Sequence, residues 1–180
     1  MNTRPLVMPG RFRLQLGDIT AMDVGAVVNS TDSTLLAGGP VHVAIHQAAG
    51  PELARECSEL GDCPVGEARI TGGHGLAAPF ILHTVAPIWL GGKAGEREAL
   101  ADCYRSCLLL AELEGIDSVA FPSLGAGHQP QFPLDQAAPV AIGTILDFLA
   151  SHPVPRQVIL VCFDMASYQV HQTTLKEALP

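Results

Sequence analysis

The sequence is short of positive charge. Ten Lys and Arg residues stand against eighteen Asp and Glu residues in a chain of 180, which gives a formal net charge of −8 at pH 7. The basic residues are scattered, so the composition excludes a protein that holds a nucleic-acid polymer by neutralising a run of phosphates. Any phosphate group would have to be bound locally, by backbone N–H groups and helix ends, which carry partial positive charge.

The sequence given also has no Cys-x-x-Cys pair, no signal-like pattern in its first residues and no long apolar run. The five cysteines form an odd set without a Cys-x-x-Cys pair, and the chain opens without a basic segment followed by an apolar one. We therefore predict a reduced, cytoplasmic protein. No apolar run approaches the roughly 20 residues of a membrane-spanning helix, so we predict no membrane partner.

The length of the chain limits its domain count. With 180 residues, of which 48% are hydrophobic, it is long enough for one domain with a substantial core and too short for two. We predict a flexible lead-in over residues 1–10 and a single domain over residues 11–180.

Short apolar strands alternate with helical patterns along the rest of the chain. The predicted strands lie in RFRLQL, which reads as an edge or half-buried strand, and in GAVVN, ARIT, FILHTVA, SVAF and QVILVCF. The predicted helices lie in VHVAIHQAA, PELARECSEL, residues 96–114, LDQAAPVAIGTILDFLAS and MASYQVHQTTLKEAL. In the first helix, Val41, Ala44, Ile45 and Ala48 fall at helical spacing. This alternation predicts an α/β fold with a mostly parallel sheet, covered on both faces, that binds ligands at the carboxyl ends of its strands.

Two glycine-bearing loops each leave a predicted strand and precede a predicted helix, at residues 29–40 and 122–131. The first places Gly38, Gly39 and Pro40 before a helix whose unpaired N–H groups would face an anion. The second contains Gly125 and Gly127 in SLGAGHQ, which permit a concave cradle of N–H groups, although a plain tight turn explains them equally well. Because both loops follow strand ends, they could converge on one crevice.

A carboxylate follows the first predicted strand, in GDIT. Asp18 could accept a hydrogen bond from the exocyclic amine of a base, or it could cap a turn or a short helix. The sequence carries neither a dinucleotide-binding fingerprint nor a P-loop, since no Gly-Lys-Ser or Gly-Lys-Thr occurs.

Taken in order, these segments resemble the macro domain, an ADP-ribose-binding module. The resemblance rests on GDIT, VVNSTDSTLLAGGPVHVAIHQAAGPEL, CPVGEARITGG, ILHTVAP, FPSLGAGHQPQFPLDQAA and VILVCF, and it extends from about Phe12 to Leu175. It implies a three-layer α/β/α sandwich around a six-stranded mixed, mostly parallel sheet, with ADP-ribose lying across the crevice.

The resemblance also implies a set of ligand-binding residues. Carried over by position, they are Asp18, Ile19, Asn29, Gly38, Gly39, Val41, His42, Gly125, Ala126, Gly127, His128 and Phe163. Asp18 would accept from the adenine amino group, and the N–H of Ile19 would meet the ring. The two glycine-bearing loops would hold the diphosphate and the terminal ribose. Phe163 would either stack on adenine or belong to the core.

Departures from the family pattern affect catalysis more than binding. Where the first loop usually reads NAAN this chain has Asn29-Ser-Thr-Asp32, in which Asn29 would still shape the loop. His42 replaces an acid that is thought to orient water, and His128-Gln129 replaces an aromatic in the second loop. Asp32 would bring negative charge close to the diphosphate unless it turned away or capped the next segment, so a structural role is the simplest. His42 would line the pocket or act as a general base, and lining is the simpler role.

The resemblance therefore implies a protein that binds ADP-ribose, free or as the terminal unit on an ADP-ribosylated protein partner. The alternative is an enzyme, a mono-ADP-ribosyl-protein hydrolase or an O-acetyl-ADP-ribose deacetylase, with His42 and Asp32 as its catalytic residues. No cofactor is expected, and the sequence leaves the oligomeric state open.

Two other kinds of chemistry receive little support. His42 and His46 share a helical face as two zinc ligands would, but no third ligand is indicated, so no metal is expected. Only Cys57 or Cys63 is a candidate for an exposed cysteine nucleophile, and nothing in the sequence pairs either with a histidine. Ser123 lacks the G-x-S-x-G pattern of a nucleophilic serine and is interpreted as loop-forming.

Overall fold

The computed structural model describes residues 10–126 and 131–179. All but one residue of the predicted lead-in, and residues 127–130 of the second glycine-bearing loop, lie outside these ranges. The strands are β1 (Phe12–Leu16), β2 (Ala26–Ser30), β3 (Ala68–Gly72), β4 (Phe80–Thr84), β5 (Ser118–Pro122) and β6 (Gln157–Cys162). The helices are α1 (Pro40–Ala49), α2 (Pro51–Leu60), α3 (Glu96–Leu113), α4 (Leu134–Ser151) and α5 (Met165–Ala178), with a 3₁₀ turn at Ile19–Ala21.

The six strands form one mixed sheet in the order β1-β6-β5-β2-β4-β3. All neighbouring pairs are parallel except β3 and β4, which are antiparallel. The predicted mostly parallel sheet is thus confirmed, and so is the edge position of the first strand.

Both faces of the sheet are buried. Along β2, Ala26 and Val28 face a core that is covered by α3 and α4, whereas Val27 faces a second core under α1 and α2. This alternation is the period-two pattern of a strand that lies between two helical layers. α5 packs beside α4 and against β1. The three-layer α/β/α prediction is confirmed.

The direction in which α1 faces differs from the prediction. Of the four apolar positions at helical spacing only Ile45 is buried, and the inward face consists of His42, Ile45 and Ala49. A histidine occupies this inward face because polar groups of β2 and β4 meet it there, as described below. Val41 and Ala44 line a cavity instead.

The described part of the chain contains no helix that is both long and apolar enough to cross a bilayer.

Candidate functional site

A cavity of about 770 Å³ lies where four parallel strands end, next to Gly17 after β1, Ser30 at the end of β2, Pro122 at the end of β5 and Phe163 after β6. Its volume falls in the range of small-molecule sites. The carboxyl ends of parallel strands are where α/β sheets bind ligands. None of the described residues that line the cavity is a Lys or an Arg.

The N-terminus of α1 forms one wall of this cavity. Gly39 is the N-cap, no side chain caps the helix, and the first turn carries no acidic residue. Gly39, Pro40 and Val41 all line the cavity. Because the first-turn N–H groups of a helix have no intrahelical partner and carry partial positive charge, this wall suits an anion.

Gly38 belongs to the supporting structure rather than to the lining. A Cβ at this position would lie 2.6 Å from Cβ of His42 and 3.2 Å from the carbonyl oxygen of Ser30. Glycine therefore allows the loop to close directly onto His42, which does line the cavity.

The second glycine-bearing loop contributes Ser123 and Ala126 to the lining. Gly125 has φ +91° and supports the loop from behind, since a Cβ there would lie 2.9 Å from Cβ of Phe132. The backbone of Phe132 also donates to the carbonyl of Gly125 at 3.0 Å. The predictions for Gly127 and His128 fall outside the described residues, so the proposed N–H cradle stays a prediction.

Asp18, Ile19 and Phe163 form another part of the cavity lining. Asp18 caps the 3₁₀ turn, because its Oδ1 accepts from the N–H of Thr20 at 2.9 Å and from the Thr20 hydroxyl at 2.7 Å. The capping interpretation is therefore confirmed, and the same carboxylate is exposed at the rim of the cavity. Phe163 is 82% exposed, which excludes the alternative that it belongs to the core.

The start of α5 also lines the cavity, and the sequence analysis did not include its residues among the site residues. Asp164 is the N-cap of α5, its Oδ1 accepts from the N–H of Ser167 at 2.8 Å, and both residues line the cavity. The signal was present as Asp-x-x-Ser directly after the last strand, a common N-cap pattern.

His42 is buried and is bonded to side chains of the sheet. Nδ2 of Asn29 lies 3.1 Å from Nδ1 of His42 and 3.1 Å from Nδ1 of His83. Nε2 of His83 in turn lies 2.8 Å from the hydroxyl of Thr71. Asn29 is fully buried and outside the cavity lining, so it supports the site from behind, as its predicted shaping role requires.

Burial keeps the neighbouring histidines neutral. Desolvation, reinforced by the proximity of His46 and His42, lowers the pKa of His83 to about 3. Desolvation and the proximity of His42 lower the pKa of His46 to about 4. Both rings are therefore uncharged near neutral pH.

Asp32 lies outside the cavity lining. Its Oδ1 accepts from the N–H of Thr34 at 3.0 Å and from the Thr34 hydroxyl at 2.6 Å. The Asp32 carboxylate therefore stabilises a local turn. This is the structural role that was predicted for it, because a carboxylate close to a diphosphate would repel it. Of the two predicted catalytic residues, only His42 lines the cavity.

Cys57 and Cys63, the two candidates for an exposed cysteine, are both buried, as are the other three cysteines. Sγ of Cys57 lies 3.9 Å from Nε2 of His83, but burial and the nearby Glu56 raise the pKa of the Cys57 thiol to about 11. A thiol that stays protonated at neutral pH is a poor nucleophile. Cys57 therefore packs against the histidine as a small apolar group.

The structure gives little support to a metal site or to an activated serine. Within the described ranges no three His, Cys, Asp or Glu side chains are placed to hold a metal ion, and the rings of His42 and His46 pack 4.1 Å apart. Oγ of Ser123 lies 3.5 Å from Nε2 of His171. Nδ1 of that ring is held at 2.8 Å by the carbonyl of Ser167.

Comparison with known proteins identifies the family. A family model described as Macro domain matches residues 28–141. A macro domain-containing protein of Methanosarcina mazei is 45% identical over 94% of this chain and 90% of its own length. An O-acetyl-ADP-ribose deacetylase of Cronobacter sakazakii is 42% identical over 93% of this chain and 95% of its own length.

Solved structures agree in fold. The Oceanobacillus iheyensis macrodomain with ADP is 37% identical over 93% of this chain and 90% of that one, with a TM-score of 0.88, and a variant of it was solved with ADPR. The Trypanosoma brucei macrodomain in complex with ADP is 33% identical over 91% of this chain and 68% of that one, with a TM-score of 0.84. The chain therefore belongs to the macro domain family.

Proposed function

We propose that this protein binds ADP-ribose, free or as the terminal unit on a modified protein. The observation that carries the proposal is the uncapped N-terminus of α1, which opens without an acidic residue onto a cavity whose described lining has no Lys or Arg. Such a site attracts an anion through backbone dipoles, which is how a chain of net charge −8 can hold a diphosphate. The ADP and ADPR complexes of related macrodomains support this choice of anion.

Two groups of lining residues suit the two ends of the ligand. We place the diphosphate beside Gly39 and Val41, with Ala126 facing it from the second loop. We place the adenine ring beside Phe163, which offers an exposed aromatic face for stacking. Asp18 uses Oδ1 for its cap, so Oδ2 is the oxygen that accepts from the adenine amino group.

We also propose a class of protein partner and a cellular location. We propose that the protein partners are proteins that carry an ADP-ribosyl group, because ADP-ribose is the ligand that we assign to the cavity. A cytoplasmic location is supported by five cysteines that all remain unpaired.

Isothermal titration calorimetry with ADP-ribose tests the function directly. We expect saturable, one-site binding, with ADP bound more weakly because it lacks the terminal ribose and with free ribose 5-phosphate bound weakest because it lacks the adenine. The proposal is wrong if ADP-ribose gives no saturable heat at concentrations at which the related macrodomains are saturated.

A second candidate function is removal of the acetyl group from O-acetyl-ADP-ribose. The observation that favours it is the likeness, at 42% identity over nearly the whole chain, to a deacetylase. Release of acetate from O-acetyl-ADP-ribose, measured at enzyme concentrations that give single turnover, decides between an enzyme and a binder. Absence of release with saturable ADP-ribose binding identifies a binder.

A further inference from the structure

A continuous chain of four polar side chains runs beneath the cavity wall. It begins at Thr71 on β3, passes through His83 on β4 and Asn29 on β2, and ends at His42 on α1. Asn29 and His83 are partners in the register of the two parallel strands, so the sheet itself sets their spacing. The four side chains are each at most 4% exposed. We call this chain the buried relay.

The direction of hydrogen-bond donation along the relay is set at Thr71. The hydroxyl of Thr71 is 3.1 Å from the carbonyl oxygen of Gly72, to which it donates, so its oxygen accepts from Nε2–H of His83. Nδ1 of the neutral His83 ring is then an acceptor and takes one N–H of the Asn29 amide. The other N–H of the same amide donates to Nδ1 of His42. With Nδ1 as an acceptor, the single ring proton of His42 lies on Nε2.

The reversed arrangement is less favourable. As the amide stands, Oδ1 of Asn29 is buried without a hydrogen-bond partner among the described residues. Turning the amide over would satisfy that oxygen with two Nδ1–H groups, but it would leave both amide N–H groups without an acceptor. It would also make the Thr71 hydroxyl give up the carbonyl of Gly72 to donate to His83. Because orphaned buried donors are rarer than under-satisfied carbonyl oxygens, the amide orientation of the structure is preferred.

We infer that the buried relay holds the proton of His42 on Nε2, so that His42 meets the bound nucleotide as a hydrogen-bond donor and not as a general base. The identity of the nucleotide rests on the proposed function, whereas the tautomer does not. His42 is the binding residue in this arrangement, and Asn29, His83 and Thr71 are positioning residues that act through it.

The donor role suits the electrostatics of the site. An oxygen of a phosphate or a ribose hydroxyl accepts from a neutral imidazole N–H, so no positive charge has to be placed next to the neutral rings of His46 and His83. The same tautomer removes the lone pair that a general base would need on Nε2. Any deacetylation would then take its base from elsewhere, such as a phosphate of the substrate.

The tautomer can be measured without ligand. Two-bond ¹H–¹⁵N correlation spectra of protein with ¹⁵N-labelled imidazole rings distinguish a bare ring nitrogen from a protonated one. We expect Nδ1 of His42 to be bare and Nε2 to be protonated, with the signals assigned by their loss in His42→Gln. A protonated Nδ1 with a bare Nε2, or a charged ring at neutral pH, would overturn the inference.

Variants at Thr71 test whether this residue controls the tautomer of His42 through the other members of the relay. Thr71→Val removes the acceptor of His83 without touching the cavity, and we expect both ring nitrogens of His42 to shift toward a mixture of tautomers. Thr71→Ser restores the hydroxyl and is expected to restore the wild-type shifts. A purely structural role for Thr71 would lower the melting temperature in Thr71→Val and leave the His42 nitrogen shifts unchanged, which would contradict the relay.

Ligand binding tests the donor itself. We expect His42→Ala to weaken ADP-ribose binding about tenfold or more, as loss of a hydrogen bond to a charged group does, and His42→Gln, which restores a side-chain N–H, to recover part of the loss. His74→Gln, at an exposed histidine bonded to Glu56 and outside the cavity lining, is the matched control. Unchanged affinity in His42→Ala would refute the donor role and leave the proposed function standing. Failure of the wild type to bind would refute the function, and the ligand-free spectra would still decide the tautomer.

Discussion

Asp18 combines two tasks in one carboxylate. Its Oδ1 holds the 3₁₀ turn and its side chain stands at the rim of the cavity, so a change of charge can be separated from a loss of the cap. In Asp18→Asn the amide oxygen keeps the cap, and the amide nitrogen then faces the adenine amino group, a donor against a donor. We expect about tenfold weaker ADP-ribose binding by calorimetry, with little change in melting temperature.

Asp23→Ala is the control for this change, because Asp23 is exposed close by and lies outside the cavity lining. Equal affinity of Asp18→Asn and the wild type would show that Asp18 serves the turn alone.

Gly38 is required for close approach. A methyl group at this position would lie 2.6 Å from Cβ of His42, so we expect Gly38→Ala to push the loop away from α1, destabilise the protein by about 1–3 kcal/mol and weaken ADP-ribose binding. Gly143 in α4 is the contrast, because outside the adjacent backbone of its own helix no atom lies within 4 Å of a Cβ there. Gly143→Ala should stabilise the helix by about 0.5–1 kcal/mol. Urea unfolding of both variants measures the difference, and equal effects would contradict the packing argument.

α1 is the element on which anion binding depends. Pro40 is its first residue, is exposed and lines the cavity, so it can be replaced without disturbing the core. Pro40→Glu places a carboxylate beside the diphosphate, and we expect about tenfold weaker ADP-ribose binding than in the isosteric Pro40→Gln, from Coulomb repulsion over a few ångströms. Calorimetry on the pair isolates the charge. Equal affinities would place the diphosphate away from this helix end.

The elements themselves were predictable because each carries its own periodic signal. α1 is bounded by Gly39, Pro40 and Gly50, and β2 is a short apolar run, so local sequence is enough to locate both. The side of α1 that faces inward was not predictable in this way. It is set by Asn29 and His83 on two strands, one of them distant in the sequence, and this contact turns His42 inward.

In the candidate site too, some features were predictable from local sequence and others were not. Asp18 and Gly39 were found because they follow strand ends or precede a helix, and both line the cavity. Gly38 and Asn29 were also predicted among the ligand-binding residues, Asn29 as a residue that shapes the first loop, and the structure places both outside the cavity lining. Whether a residue lines the cavity or lies behind the lining depends on how His42 packs against the loop. No local sequence pattern indicates that packing.

Taken as a whole, the molecule is acidic and its described binding surface is free of lysine and arginine, which has a consequence for salt dependence. Backbone dipoles at a helix end act at short range and release no condensed counterions, while salt screens the repulsion between a net charge of −8 and the ligand. We expect the affinity for ADP-ribose to change by less than about threefold between about 50 and 500 mM NaCl. A steep loss of affinity with salt, measured by calorimetry, would indicate that cationic side chains hold the ligand.

The buried histidines make the stability of the whole fold depend on pH. The pKa is lowered to about 3 at His83 and to about 4 at His46, and burial also lowers it at His171, whereas an unfolded histidine titrates near 6.5. Below that value the unfolded chain binds protons that the folded chain does not, so acidification favours unfolding. His83 alone is expected to lower the free energy of unfolding by about 2 kcal/mol between pH 7 and pH 5.

Urea unfolding followed by circular dichroism at several pH values between 5 and 8 measures how the free energy of unfolding changes with pH. This range lies above the pH values at which most carboxylates titrate. His83→Gln should be less stable than the wild type at pH 7, because it disrupts the hydrogen bonds with Asn29 and Thr71, but its stability should fall less steeply on acidification. A free energy of unfolding that stayed constant or rose from pH 7 to pH 5 would mean that these rings accept protons within the fold. The buried relay could then not hold His42 as a neutral donor in that range.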